Sequence, residues 1–477
     1  MKTNKIITIF LLFLTIGILI FRIILALKGH YLEHISGSWA ALAVDFSNGI
    51  LYRPIFHEGI GTGGTRWMPL YFVLHGAMIK ITGNTIYTGL VLSFLSSGLL
   101  IAAIVLILKH YKIKPLISVI IIALLLSSNT LITAMTAVRG DILAASLNIW
   151  GLYYAVTSDN KPVRIILSCL FFSLTIITKI TSIFGIATVV IWLLYNNSKK
   201  NALNYFGIFS LITILFLIVI QLVSSGRFIS IFTLCAQGGT TITDVIKLPF
   251  KFIRYSANTD QGSLIILTFA LTILINKGSG ILRSRHATYL ALTLAFTLVI
   301  FASAGTGENH LIDLHIASVL VIAASIHEYE INTALVIKCS FIVIIFSCLL
   351  NSIFLSHDMN KKPLLTSMKE TAILIDKSDS LISENPWLPI IMKRDVYILD
   401  PWMFRVIDRE KLVLFVSFYQ RLDKGQFDCV VFDKNPLDPW IPKWFDYSHF
   451  GRNFLNHVFN HYKFRDNHDL YYIYTPL

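Results

Sequence analysis

The chain has 477 residues, 55% of them hydrophobic and only 14% charged, far below the roughly 25% charged share of a water-soluble domain. Its mean hydropathy is +0.69, and apolar runs near or above 18 residues recur through the first three quarters, so it reads as a polytopic membrane protein. The net charge of +13 does not point to nucleic acid, because many basic residues cluster in short loops between apolar runs.

The first run, 6–27, follows Lys2 and Lys5 and lacks a small-residue cleavage site, which predicts a retained span rather than a removed signal. Further spans are predicted at 87–109, 116–136, 141–157, 163–178, 182–195, 203–223, 263–276, 288–304, 310–326 and 332–354, about eleven in all. One set of loops is basic: Lys2/Lys5, Lys109/Lys112/Lys114, Lys161/Arg164, Lys199/Lys200 and Lys277/Arg283/Arg285. That side is expected to face the cytoplasm of a cell (plasma or inner) membrane. The opposite set carries Glu33, Asp45, Glu58, Arg139/Asp141, Lys179, Asp244, Asp260 and Glu308. Its loop near 224–262 also holds Arg227, Lys247, Lys251 and Arg254, which a long loop tolerates. An odd span count places the C-terminal segment outside. Of 27 acidic residues, 16 fall in the last 121 positions. This shift predicts a transmembrane domain over 1–356 and a small soluble extracytoplasmic α/β domain over 357–477. Five cysteines without paired spacing support neither a disulfide framework nor a zinc motif.

The outer side therefore carries the candidate chemistry. In the first outer loop, about 28–86, the spacing of Trp39, Leu42, Ala43 and Phe46 predicts an interfacial helix closed by Gly49. Glu33 and His34 sit just before it. A carboxylate there can take a proton from an acceptor hydroxyl, or simply favour a helix N-terminus. "GTGGTRW", Gly61 to Trp67, can turn backbone N–H groups toward an anion while Arg66 adds donors; its plain reading is a flexible loop. The following "PLYFVLHGAMIKITG" reads as an amphipathic surface helix.

"TAVRGDILAAS" holds Arg139 and Asp141, the only ionised side chains between Leu116 and Thr157. Mutual pairing would make them tolerable, with Gly140 keeping the turn tight. An adhesive role for the triplet needs an exposed loop and is set aside, while ionisable groups at membrane depth mark function by default. Lys179 lies in another turn, where it either snorkels or meets a lipid phosphate. "GTGENHLIDLH" brings together Glu308, Asn309, His310 and Asp313. These residue types can hold a divalent cation, although the spacing is no recognised ligand pattern. The tail alternates a helix, "TSMKETAILIDK", with strands at "SLISE", "DVYILD", "FDCVVFD" and "LYYIYTP". His457 and His461 share a helix face without implying a metal. The "DPW" triplets at Asp400 and Asp438 read as turns.

In order and sidedness, "WAALAVDFSNGILYRP", "MPLYFVLHGAMIKITG", "AVRGDILAASLNIWGLYY", "LFFSLTIITKITSIFGIATVVIWLL" and "ENHLIDLHIASVLVIAAS" resemble the GT-C superfamily of membrane glycosyltransferases. The likeness is to the branch of protein O-mannosyltransferases and bacterial lipid A aminoarabinose transferases, over most of residues 1–330. The resemblance implies a GT-C bundle and transfer of a sugar from a polyprenyl-phosphate donor, drawn from among the membrane lipids, to an acceptor. A first-loop carboxylate is then the general base, with basic residues on the carrier phosphate. Asp141 matches the family's acidic turn residue, with Arg139 beside it, and Lys179 matches the "TK" turn. Where relatives carry Asp-Glu this chain has Ile35-Ser36, and the nearest acid is Glu33. Either Glu33 or Asp141 takes the base role; Glu33 is favoured, with Asp141 positioning. His34, Arg66, Arg139, Lys179, Glu308, His310 and Asp313 are the candidate substrate- and phosphate-binding residues. A flippase would show an internal repeat, and none is visible; a non-catalytic scaffold would depend on Glu33 and Asp141 only for stability.

Overall fold

The computed structural model describes residues 2–159, 161–235, 242–277, 284–303, 306–328, 333–438, 444–445 and 449–477. Arg283, Gly305, Glu330 and the Trp of the second "DPW" lie outside the described residues. The fold is mostly helical with a small C-terminal sheet. Among the described residues, five helices are long and apolar enough to cross a membrane, beginning at Ile6, Thr85, Lys199, Glu308 and Thr333. Leu211, Ile214, Leu215, Ile218 and Leu222 of the helix Lys199–Val223 remain exposed, as lipid-facing side chains do, because association in lipid rests on packing rather than on escape from water. Shorter apolar helices, including Pro162–Thr178, Phe184–Tyr195 and Arg285–Phe301, pack beside them.

The continuous span expected at 116–136 is instead two helices, Pro115–Leu125 and Asn129–Thr136, bent by 78°. Polar residues at the joint explain the break. Ser128 Oγ accepts from Leu131 N at 3.1 Å, capping the second helix. The same hydroxyl donates to Asp260, which also accepts from Thr130 N at 3.0 Å and Ser263 Oγ at 2.7 Å. The joint is thereby tied to the helix Gln261–Lys277. The next helix, Asp141–Val156, is buried along nearly its whole length and brings its N-terminus to the end of the bundle that carries the site.

The first loop forms the helix His34–Ser47, with Glu33 at its N-cap, and a short hairpin of β1 (Phe56–His57) and β2 (Gly61–Thr62). In the tail, β3 (Leu381–Ser383) pairs parallel with β4 (Cys429–Phe432), β4 antiparallel with β6 (Tyr471–Pro476), and β6 with β5 (Tyr462–His468). Phe404, Phe418, Phe450 and Phe454 fill the space beside the sheet, with Phe450 and Phe454 stacked at 4.4 Å. Such ring pairs contribute about 1 kcal/mol each beyond burial.

"DVYILD" is not the expected strand. Its backbone is spent on the first loop: Thr62 N donates to Tyr397 O at 2.7 Å, Arg53 donates to Val396 O, and Ile398 makes a single bridge to Thr62. Gly61 fits this contact because its φ is +82° and a Cβ would strike the Tyr397 backbone. Trp387 Nε1 donates to Ser36 Oγ at 2.8 Å and Asn385 Nδ2 to Leu32 O at 3.1 Å. The tail is thus seated on the start of the interfacial helix.

Candidate functional site

A cavity of about 680 Å³ opens where the first loop, the turns at Arg139–Asp141 and Thr178–Thr181, the segment 303–310 and the tail converge. Glu33, His34, Arg66, Arg139, Asp141, Lys179, Glu308 and His310 all line it. Asp313 does not. It is buried in the first turn of the helix Ile312–Glu328 and accepts from Asn148 Nδ2 at 3.3 Å.

The ion pairs differ from the expected one. Arg139 pairs with Glu33, whereas Asp141 Oδ1 receives Lys179 Nζ at 2.6 Å and Asn309 Nδ2 at 2.8 Å. Residues two apart at a helix start do not face each other, so Arg139 turns to the first loop and Asp141 to the opposite wall. Lys179 also donates to Asn309 O at 3.3 Å; it is neither snorkelled nor solitary. Gly140 has φ −76° and ψ −7°, values open to any residue, so no tight-turn requirement explains it. Close approach does, since a Cβ would lie 3.1 Å from the Trp39 ring and 3.2 Å from Tyr71.

The glycine run does not form an anion cradle. Thr62 N and Gly63 N are spent on Tyr397 O and Pro54 O, and Gly64, at φ +96°, packs against Ile407. Arg66 nonetheless reaches the cavity, with its guanidinium 4.2 Å from the Trp402 ring centroid. Nor do Glu308, His310 and Asp313 converge on one point. Glu308 meets Tyr255 Oη at 3.4 Å, Asp313 meets Asn148, and His310 lines the cavity. Among the described residues, ligand atoms of Glu370, His468 and Asp469 do cluster, on the tail. There Lys362 already bridges both carboxylates. His457 and His461 both approach Asp423 Oδ1, at 2.6 and 3.3 Å.

Several further residues line the cavity without a site role predicted from the sequence. Trp39 and Trp67 stack at 4.8 Å. Asp400 of the first "DPW" caps the helix Pro401–Glu410 through Trp402 N and Met403 N, which holds Trp402 against Arg66. Burial pushes the Asp400 carboxyl up, opposed by its backbone hydrogen bond from Met403 and by Arg66. His449 and Trp444 complete the tail side beside His34, whose ring lies 4.3 Å from His449 and 5.9 Å from Trp444. Burial, then His449 and Lys434, holds the His34 imidazole well below its usual range, so it is neutral.

These features define a class: an integral membrane protein with the fold of GT-C membrane glycosyltransferases. No family model and no curated protein matches the chain. Its structure is similar to the crystal structure of ArnT from Cupriavidus metallidurans bound to undecaprenyl phosphate, with a TM-score of 0.61, 11% identity and 98% of each chain covered. The apo state of the same ArnT is similar at a TM-score of 0.57, 10% identity and 97% of each chain.

Proposed function

We propose that the protein transfers a sugar from a polyprenyl-phosphate carrier to an acceptor at the outer face of the cell membrane. The carrying observation is the convergence of Arg66, Arg139 and Lys179 with Glu33 and Asp141 in one cavity. The ArnT that shares this fold binds undecaprenyl phosphate. In this reading residues 1–356 form the catalytic membrane domain, and residues 357–477 form an extracytoplasmic domain closing one side.

Exposure separates the two carboxylates. The Glu33 side chain is 38% exposed and that of Asp141 7%. Glu33 is therefore the group an acceptor can reach, and Asp141, held by Lys179 and Asn309, is a positioning group. In the transfer step the acceptor oxygen bonds to the anomeric carbon as its proton passes to Glu33. The carbon–oxygen bond to phosphate breaks, and its electron pair leaves with the lipid phosphate. Arg66 and Lys179, with Arg139 paired to Glu33, stabilise that negative charge.

The test is complementation of a deletion strain with full-length variants. Glu33→Gln should lower transfer about 10²-fold or more, the typical loss on removing a general base, while the protein is still made. Asp141→Asn should also lower it, by misplacing Lys179. The deletion strain should accumulate a polyprenyl-phosphate sugar, read by mass spectrometry of extracted lipids. Full complementation by both variants would sink the site assignment.

A further inference from the structure

The tail contributes more than a wall. Glu384, fully buried, accepts from Asp433 N at 2.8 Å, Trp444 Nε1 at 2.6 Å and His449 Nδ1 at 2.6 Å. With a proton on His449 Nδ1 all three atoms donate, and a carboxylate at Glu384 can accept from them together. Neighbouring Asp433 does not compete for this charge. Burial, reinforced by Glu384, pushes its carboxyl well above the usual range.

This arrangement fixes a tautomer. In the neutral ring with Nδ1–H committed to Glu384, the Nε2 of His449 is unprotonated and can accept a hydrogen bond. His449 lines the cavity, and its Nε2 has no hydrogen-bond partner among the described residues. It stands against His34, next to Glu33. An acceptor-only nitrogen repels a phosphate oxygen, which offers lone pairs alone, and suits a hydroxyl hydrogen. The cations Arg66, Arg139 and Lys179 suit the phosphate. The cavity thus offers two chemically distinct kinds of lining group.

We propose that His449, oriented by Glu384, is a positioning residue for the acceptor. Its Nε2 accepts a hydrogen bond from a hydroxyl of an alcohol-bearing acceptor and holds that molecule beside Glu33. The tail is thereby the acceptor-recognising part of the protein. The inference rests on the transferase reading above.

The test compares full-length His449→Ala, His449→Gln and Glu384→Gln with Lys179→Met. Transfer to the endogenous acceptor is measured in membranes of the deletion strain. Carrier binding is measured on purified protein as the rise in Tm with undecaprenyl phosphate. His449→Ala and Glu384→Gln should each lower transfer about tenfold, the worth of one well-placed hydrogen bond, with the lipid-induced rise in Tm unchanged. His449→Gln, whose amide oxygen can accept the same hydrogen, should recover part of the loss. Lys179→Met should lose both readouts. Wild-type transfer by His449→Ala and Glu384→Gln overturns the proposal, as does loss of their lipid-induced rise, which would place His449 on the donor side or in the fold. Absence of transfer by the wild-type protein would instead overturn the transferase reading, and this inference with it.

Discussion

Arg139 and Asp141 stand two apart in a nearly chargeless stretch, and their neighbours in space were written elsewhere in the chain. The sequence shows that both must be satisfied at membrane depth; it does not show that Glu33 satisfies one and Lys179 the other. Pairing depends on which way each side chain leaves the backbone, and that is settled by the helix start at Asp141. His34 shows the same limit. It was legible as a neighbour of the candidate base, yet its neutral state comes from burial against residues more than 400 positions away. A histidine titrates near 6.5 when unfolded, and here the folded value is lower. Stability linked to His34 is therefore fully present above the unfolded value and is lost as pH falls below it. The loss can reach about 1.4 kcal/mol per pH unit while only the unfolded state binds the proton. Thermal unfolding of the purified protein from pH 7.5 down to 5.5 should show a smaller drop in Tm for His34→Gln than for wild type. Equal drops would show that His34 does not carry this linkage.

At the scale of elements, apolar runs predicted where helices lie much better than where they bend. Helix Thr85–His110 and the helix beginning at Thr333 correspond closely to their predicted spans. The run 116–136 hid a 78° bend, because the short polar cluster Ser127–Thr130 inside a mostly apolar run barely lowers its hydropathy. What makes this cluster break the helix is a distant carboxylate. Asp260 gathers Ser128 Oγ, Thr130 N, Ser263 N and Ser263 Oγ, so that these four donors are satisfied by one carboxylate. Asp260→Ala should strand those donors and cost about 3 kcal/mol or more, since each unsatisfied buried group costs about 1–3 kcal/mol. Ser263→Ala removes one of the hydroxyls and should cost about 1 kcal/mol. Thermal denaturation in detergent compares the two, and equal Tm values for Asp260→Ala and wild type would show that the joint is held by something else.

Over the whole molecule, composition and loop charge made the membrane class and the α/β tail legible, and the order of motifs brought eight cavity-lining residues to notice. The tail-built side was not legible, because Trp402, Trp444 and His449 stand more than 350 positions along the chain from Glu33 and His34, which they join in the cavity. Arg53 tests how that seating is held. Buried, it pairs with Asp45 of the interfacial helix and donates to Val396 O of the tail, joining loop, helix and tail through one side chain. Replacing it by methionine leaves the Asp45 carboxylate buried without its partner, at a cost of about 3–5 kcal/mol. Burial pushes Asp45 above its usual range and Arg53 opposes that rise, so removing Arg53 raises it further. A carboxyl whose folded value exceeds its unfolded one contributes most below the unfolded value and loses that contribution as pH rises through the folded value. Arg53→Met should therefore lose more stability at pH 7.5 than at pH 5.5, and Asp45→Asn in the same chain should restore most of the loss. Limited proteolysis reports the consequence for assembly. Cleavage in the first loop near 56–62 should appear in Arg53→Met at neutral pH and fade in the double variant, because β2 rests on the tail backbone that Arg53 pins. Protection of that loop in Arg53→Met would mean that the remaining contacts, among them Trp387 to Ser36, Asn385 to Leu32 and Thr62 to Tyr397, seat the tail without Arg53.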